Sequence, residues 1–381
     1  MVLTLLLVAA IALVAYVFVG YPAIVALLAR VRPRPIASDP DATPRLSVIV
    51  LAYNEESVIG ARLENLRSLD YPPEALELIV VADGSTDSTG AVAATYSGVK
   101  VLFDPGRGGK LAAMHRGAAA ATGEILLFSD ANNAYTRETL RELVAPFADA
   151  TVGVVTGRKA IDDGTGRSLD RAEGLYWRYE DKIKRWESAS GSVPGAAGEI
   201  VAFRRESFPA AKPGTMNDDF VQALTAALAG WRIVYARDAV SLERASATLG
   251  DEAIRRSRLT TGRWQALVQL LPALARRQPG LAWRVVSHKG LRPVVPFALA
   301  AIVLASVLLA PSRSWAFGLV LAQGVFYAAA VGGWASERLG RRSPLLYLPY
   351  YFCRMNLATL AGFRNFAGGR HVAVWARVDR G

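Results

Sequence analysis

Asp83 and Asp130 each close an apolar run, "LELIVVAD" (76–83) and "EILLFSD" (124–130), and Glu55 follows a third, "LSVIVLA" (46–52). A single acid in such a place is commonly a helix cap. Several acids gathered at one sheet edge repel each other unless a cation binds between them. Mg2+ commonly uses one or two carboxylates together with substrate phosphates. Asn132, two residues past Asp130, could offer an amide oxygen to the same ion. A turn-forming pair, Asn132 and Asn133, is the other reading of those residues. "DPGRGGK" (104–110) is not a P-loop, because Asp104 and Leu111 stand where that motif needs Gly and Ser or Thr. Its Gly-rich turn nevertheless offers backbone N–H groups at a helix start, beside Arg107 and Lys110, and these suit phosphate oxygens. Asp218 and Asp219 open the amphipathic stretch "DDFVQALTAALAG", where capping acids are the plain alternative.

Elements that position these groups alternate regularly. "LSVIVLA" leads into "NEESVIGARLENLRSL", and "LELIVVAD" into "GSTDSTGAVAATY". "KVLFD" (100–104) leads into "GGKLAAMHRGAAAA", and "EILLFSD" into "TRETLRELVAPFAD". Apolar strands alternating with helices predict a parallel α/β sheet over 45–160, buried on both faces. Ligands of such sheets collect beyond the carboxyl ends of the strands, where Tyr53, Glu55, Asp83 and Asp130 fall. A further glycine-rich loop, "GSVPGAAGEIVAFRRESF" (191–208), leads into another strand.

The chain has 381 residues, is 52% hydrophobic and 20% charged, and carries a net charge of +11. Those two populations are segregated. Residues 2–29 carry no charge, and about 20 apolar residues cross a bilayer. Two further apolar stretches, 293–311 and 315–335, are separated only by Ser312, Arg313 and Ser314 and predict a membrane hairpin. A fourth, 344–363, contains Arg354 and reads as an interfacial or tilted helix, with a true span as the alternative. Arginines flank these stretches, so the positive-inside rule places 30–292 in the cytosol and the N-terminus outside. The basic charge sits beside apolar spans and suits anionic lipid headgroups rather than nucleic acid. Cys353 is the only cysteine and excludes an intrachain disulfide, while His115, His288 and His371 lack zinc spacing. Apolar residues at 264, 267, 268, 271 and 274 recur at helical spacing and predict a helix lying on the membrane face, or one packed on the soluble domain.

"VIVLAYNEE", "VVADGSTDST", "GGKLAAMHRG", "LLFSDAN", "GAAGEIVAFRR", "NDDF" and "TTGRW" occur in that order over roughly residues 45–270. This set resembles the family-2 glycosyltransferases, particularly membrane-integrated synthases of cellulose, hyaluronan and poly-N-acetylglucosamine. The resemblance implies a GT-A (nucleotide-diphospho-sugar transferase) α/β domain with flanking transmembrane and interfacial helices. It implies a nucleotide-sugar donor, most often UDP-linked, a divalent cation (Mg2+ or Mn2+) and inversion at the anomeric carbon. Tyr53, Glu55 and Asp83 would hold the nucleoside, with Lys110 near the base or diphosphate. Asp130 would bind the metal, assisted by Asn132, and Asp219 would be the general base. Arg263 would face the donor, and Asp218 and Trp264 the acceptor.

The implied organisation is an anchor (1–29), a linker (30–44), a catalytic domain (45–250) and interface helices (251–292). A hairpin (293–335) and an interfacial or fourth membrane helix with a basic tail (336–381) complete it. Two departures bear on function: Asn132 replaces the second acid of Asp-x-Asp, and Thr260 replaces the Gln of Gln-x-x-Arg-Trp. The leading expectation is extension of a β-linked polysaccharide from a glucose or N-acetylglucosamine donor at the cytoplasmic membrane. Transfer of one sugar to a membrane lipid is its rival, and a non-catalytic nucleotide-binding assembly protein is the alternative from another class. A secreted polymer would call for a homo-oligomer or an export partner, since the spans are few.

Overall fold

The computed structural model describes residues 1–162, 168–210, 216–244, 248–340 and 343–370. Eight strands form one sheet: β1 Leu46–Ala52, β2 Leu76–Asp83, β3 Val99–Asp104, β4 Ile125–Asp130, β5 Ala134–Tyr135, β6 Val152–Asp162, β7 Val201–Arg204 and β8 Arg232–Arg244. Their order is β3-β2-β1-β4-β7-β6-β8-β5. β1 pairs in parallel with β2 and β4, and β2 with β3. β1, β2 and β4 are nearly continuous apolar runs, as burial on both faces demands, while β3 is a partly exposed edge strand.

The parallel sheet expected over 45–160 holds for β1 to β4, and β6 also pairs in parallel with β8. β7 enters antiparallel between β4 and β6, and β5 pairs antiparallel with β8, so the sheet is mixed. One apolar layer packs on each face: Ile49, Phe128, Phe203 and Leu224 on one side, Val48, Leu63, Leu127 and Leu143 on the other.

Among the described residues three helices are long and apolar enough to cross a membrane: Val2–Val31, Pro279–Leu309 and Ser314–Arg338. Helix Pro344–Ala367 does not reach that hydropathy; it packs along both Ser314–Arg338 and helix Leu249–Arg277. The latter begins with a capping box, Thr248 and Asp251 exchanging side-chain and backbone hydrogen bonds. It ends at Gln278, because Pro279 cannot continue its hydrogen-bond ladder. The region expected to hold interface helices, 251–292, is divided between helix Leu249–Arg277 and the helical segment that begins at Pro279. Its apolar stripe is mostly packed on the catalytic domain: Leu267, Leu270 and Leu274 join the sheet's core, while Val268 stays 64% exposed.

The apolar helices are tied to the sheet domain by buried polar groups. Tyr21 donates to Glu187, and His288 Nδ1 lies 2.7 Å from the same carboxylate. Lys289 donates to Glu180 at 3.0 Å. The linker is held too: Arg232 donates to the carbonyls of Arg34 (2.7 Å) and Pro35 (3.2 Å).

Candidate active site

Strand register aligns the acids. Leu51 pairs with Asp130 and Asp83 with Asp104, so the ends of β1 to β4 form one edge. The loops after β1 and β2 are knitted together above it. Thr86 N donates to Asn54 Oδ1 (2.8 Å), Ser88 N to Glu56 Oε2 (2.9 Å) and Glu55 N to Thr89 Oγ1 (2.8 Å). Tyr53 carries the Arg107 guanidinium over its ring at 3.6 Å.

Asp83 is buried and accepts from Gly108 N (3.1 Å) and Gly109 N (2.7 Å), with Arg116 at 3.5 Å. The glycine-turn N–H groups expected for phosphate are thus already bonded to Asp83. The effect is to dock that turn at the strand edge and to aim the next residue, Lys110, at the acids.

Lys110 is the centre of the site. Its Nζ donates to Asp130 Oδ1 at 2.9 Å and to the Gly198 carbonyl at 3.4 Å, and lies 3.6 Å from Asp219 Oδ1. Asp218 and Asp219 occupy the first turn of helix Asp218–Leu228, where the helix dipole favours acids. Neither is the N-cap; that is Asn217, in left-handed backbone. Burial pushes the Asp219 carboxyl up to about 7, Lys110 opposing it and Asp218, Asp130 and Glu199 adding to the rise. Burial also raises Asp218. Lys110 is disfavoured by burial, yet Asp130, Asp219 and Asp218 hold its ammonium above the usual lysine range.

Glu199, inside "GAAGEIVAFRR" but with no role expected for it, adds to this cluster, and Lys159 lies 3.9 Å from it. Arg62 is another such residue. It is buried beneath the strand ends, donates to Ser129 Oγ at 2.7 Å and adds positive potential at Asp130. No periodicity or spacing marks either residue.

Gly198 approaches so closely that a Cβ there would lie 2.1 Å from Asp219 Oδ2. Gly198→Ala is therefore expected to push the Asp219 carboxylate aside and lower kcat at least about tenfold, with a near-normal melting curve. A kcat equal to that of the parent protein would contradict this geometry.

The donor set suits a hard cation. Asp218 Oδ2, Asp219 Oδ1 and Glu199 Oε1 are buried oxygens that accept no hydrogen bond. Among the described residues no three His, Cys, Asp or Glu side chains are grouped to hold a metal. Asp130, with phosphate oxygens completing the shell, is the arrangement such sites commonly use. Asn132 is half-buried in the turn after β4. Its neighbour Asn133 is committed to the Glu199 carbonyl (2.7 Å) and Ser241 (2.9 Å).

Helix Leu249–Arg277 turns two faces in opposite directions. Residues 258, 262 and 265 share one side at helical spacing. Gln265 accepts from Met216 N at 3.0 Å, and a Cβ on Gly262 would lie 2.8 Å from Asn217 Cβ. From that side Arg258 feels the field of Asp218, Asp130 and Asp219. Residues 256, 260 and 263 lie roughly opposite and line a separate cavity of about 530 Å³. Arg263, expected at the donor, faces Tyr176, Arg256, Arg292 and Glu180 instead. Trp264, expected to stack on a sugar, has its indole stacked on Phe366 (6.2 Å) with Phe363 at 5.5 Å. Phe366 thus covers one of its faces.

Residues 47–210 match the family model described as Glycosyl transferase family 2. Beta-monoglucosyldiacylglycerol synthase of Synechocystis sp. is 29% identical over 199 residues, 50% of this chain and 42% of that protein. An N-acetylglucosaminyltransferase of Rhizobium meliloti is 25% identical over 302 residues, 74% of this chain and 71% of that protein. Mannosyltransferase PcManGT from Pyrobaculum calidifontis, solved in complex with GDP-Man and Mn2+, shares the fold with a TM-score of 0.72 and 28% identity, over 96% of this chain and 99% of that one. The chain matches less than half the length of the cyanobacterial synthase. The sheet domain is a GT-A type glycosyltransferase fold, accompanied by apolar helices that could span membranes.

Proposed function

We propose, from the family 2 glycosyltransferase domain on residues 47–210, that this chain moves a sugar from a nucleotide-sugar donor to a hydroxyl acceptor at a membrane. The observation that carries the reading is the convergence of Asp130, Asp218 and Asp219 on Lys110 beyond the strand ends. In the reaction the acceptor oxygen bonds to the anomeric carbon as the bond from that carbon to the diphosphate oxygen breaks. The bonding pair leaves on the nucleoside diphosphate and the hydroxyl proton passes to Asp219. A single displacement with one base inverts the anomeric centre.

Burial keeps Asp219 more basic than an exposed carboxylate, and a base tuned towards the working pH is worth about 10² to 10⁴-fold. Lys110 and Arg258 stabilise the charge gathering on the leaving phosphates. Tyr53 and Arg107, stacked on each other, with Glu55 and Asp83 behind them, would form the nucleoside end of the site. A cation held by Asp130, with Asn132 beside it, would supply Lewis-acid stabilisation of the diphosphate when bound.

The acceptor reading supported best is a membrane lipid taking one sugar. The acids lie in a domain fastened to helices long enough to span a bilayer, and the three such helices among the described residues are few for a polymer channel within one chain. A relative named for glucosylating a diacylglycerol is consistent with it. Polysaccharide extension is the second reading, favoured by the long match to an N-acetylglucosaminyltransferase. Arginine-rich flanks support a cytosolic catalytic face at the cytoplasmic membrane.

The test is purified full-length protein in lipid, given radiolabelled UDP-glucose, UDP-N-acetylglucosamine and GDP-mannose in turn, with Mg2+, Mn2+ or EDTA. One donor is expected to release nucleoside diphosphate and label the lipid extract, with EDTA abolishing and Mn2+ restoring the signal. Label retained on a gel column as large material would favour the polymer. Failure with every donor and metal would remove the enzyme reading.

A further inference from the structure

The cavity on the other face of helix Leu249–Arg277 has a composition the transfer reaction does not use. Helix Pro344–Ala367 contributes Leu348, Phe352 and Met355 to its wall, and the first apolar helix contributes Phe18. Into this apolar space the protein places Arg256, Arg263 and Arg292. The three gather about Tyr176. Arg256 lies 5.1 Å from its ring centre, Arg292 Nη1 donates to its hydroxyl at 3.1 Å, and Arg263 lines the same cavity wall.

Acids do not balance this cluster. Glu180 already serves Arg292, Lys289 and His288, while Glu252 serves Arg255 and Arg256. Among the described residues no carboxylate lies within ion-pair distance of Arg263. Buried N–H groups remain on all three: Nε of Arg256, Nε of Arg263, and Nε and Nη2 of Arg292 donate no hydrogen bond. Leaving such buried donors unpaired is destabilising, and guanidinium forks match phosphate oxygens. Free phosphate would satisfy the arginines but leave the apolar walls wet. A lipid satisfies both.

We propose that this cavity binds a phosphate-bearing membrane lipid, headgroup on Arg256, Arg263 and Arg292 and hydrocarbon along Phe18, Leu348, Phe352 and Met355. This site is not the acceptor subsite, because the body of helix Leu249–Arg277 separates it from the side on which Arg258 meets the acids. The proposal rests on the membrane placement in the functional reading but not on the chemistry assigned to Asp219.

The test uses full-length protein in detergent, titrated with dioleoyl phosphatidic acid, dioleoylglycerol or glycerol 3-phosphate and read by native mass spectrometry. Phosphatidic acid is expected to stay bound, dioleoylglycerol to bind at least about tenfold more weakly, and glycerol 3-phosphate not to compete. Arg263→Gln should weaken phosphatidic acid about tenfold, the loss of about 1.4 kcal/mol, with Arg263→Lys intermediate. Should Arg292→Gln misfold because Glu180 loses its partner, Arg263→Gln still decides the matter, having no acid to strand. Equal retention of the two lipids, or unchanged binding by a well-folded Arg263→Gln, overturns the proposal. Displacement by glycerol 3-phosphate would make it a soluble-phosphate site and overturns it as well. Asp219→Asn separates the two readings, since it should stop sugar transfer and leave lipid retention intact.

Discussion

Asp219→Asn is expected to lower the rate of sugar transfer by about 10² to 10⁴-fold, the range for loss of a positioned base, while raising the melting temperature above pH 7. The two effects share one cause. The carboxyl sits at about 7 in the folded protein against an ordinary value of 3.8. Between those values the folded chain holds a proton that the unfolded chain has lost. Stability therefore falls as pH rises through that window, and the whole penalty is present above pH 7. Asparagine carries no charge and removes the penalty. In the parent protein the base must be unprotonated, so kcat/KM should climb with pH up to about 7 and then level. Nucleotide release across pH 5–9, paired with melting curves of both proteins, checks the prediction. A variant that transfers at the parent rate, or that melts lower at pH 8, would refute it.

Lys110→Met is expected to act on binding and on titration together. Without the ammonium, Asp130, Asp218 and Asp219 face each other across a few ångströms with their main counter-charge gone. Truncating one partner of a desolvated, hydrogen-bonded charge pair costs about 2–4 kcal/mol, roughly 30- to 1000-fold in kcat/KM. The Asp219 carboxyl should also rise further, moving the acid limb of the rate profile to higher pH. That shift is the informative part, because a lysine that only supported the fold would lower activity without moving the profile. Steady-state rates over pH, with the melting curve as control, distinguish these outcomes.

The parallel half of the sheet was legible nearly to the residue. Runs such as Leu46–Ala52 and Leu76–Asp83 are mostly apolar, as strands buried on both faces must be, and are bounded by polar turns. The mixed half was not. β7 has only four residues and β5 two, and insertion of β7 between β4 and β6 depends on contacts distant in the chain.

The acids at 130, 218 and 219 could be read from motif order, and they converge. What could not be read was the use of Asp83 to dock a glycine turn 25 residues away. Arg258 stayed hidden because "RRSR" reads as uniform basic flanking; only helical phase sends Arg258 to the acids and Arg256 to the cavity. Arg263 and Trp264 illustrate the reverse. Their types match a motif, while local packing turns one into an apolar chamber and covers one face of the other.

Tyr21, Glu187 and His288 share hydrogen bonds deep in the seam between the first apolar helix, helix Ser168–Ser190 and the start of the second apolar helix. Trimming the chain to its sheet domain would strip Glu187 of both companions and strand a carboxylate in a newly bared greasy surface. The sheet domain and the apolar helices are thus expected to fold as one unit. Expression of a water-soluble fragment should yield aggregate, and the workable preparation is the intact chain kept in amphiphile from lysis onward.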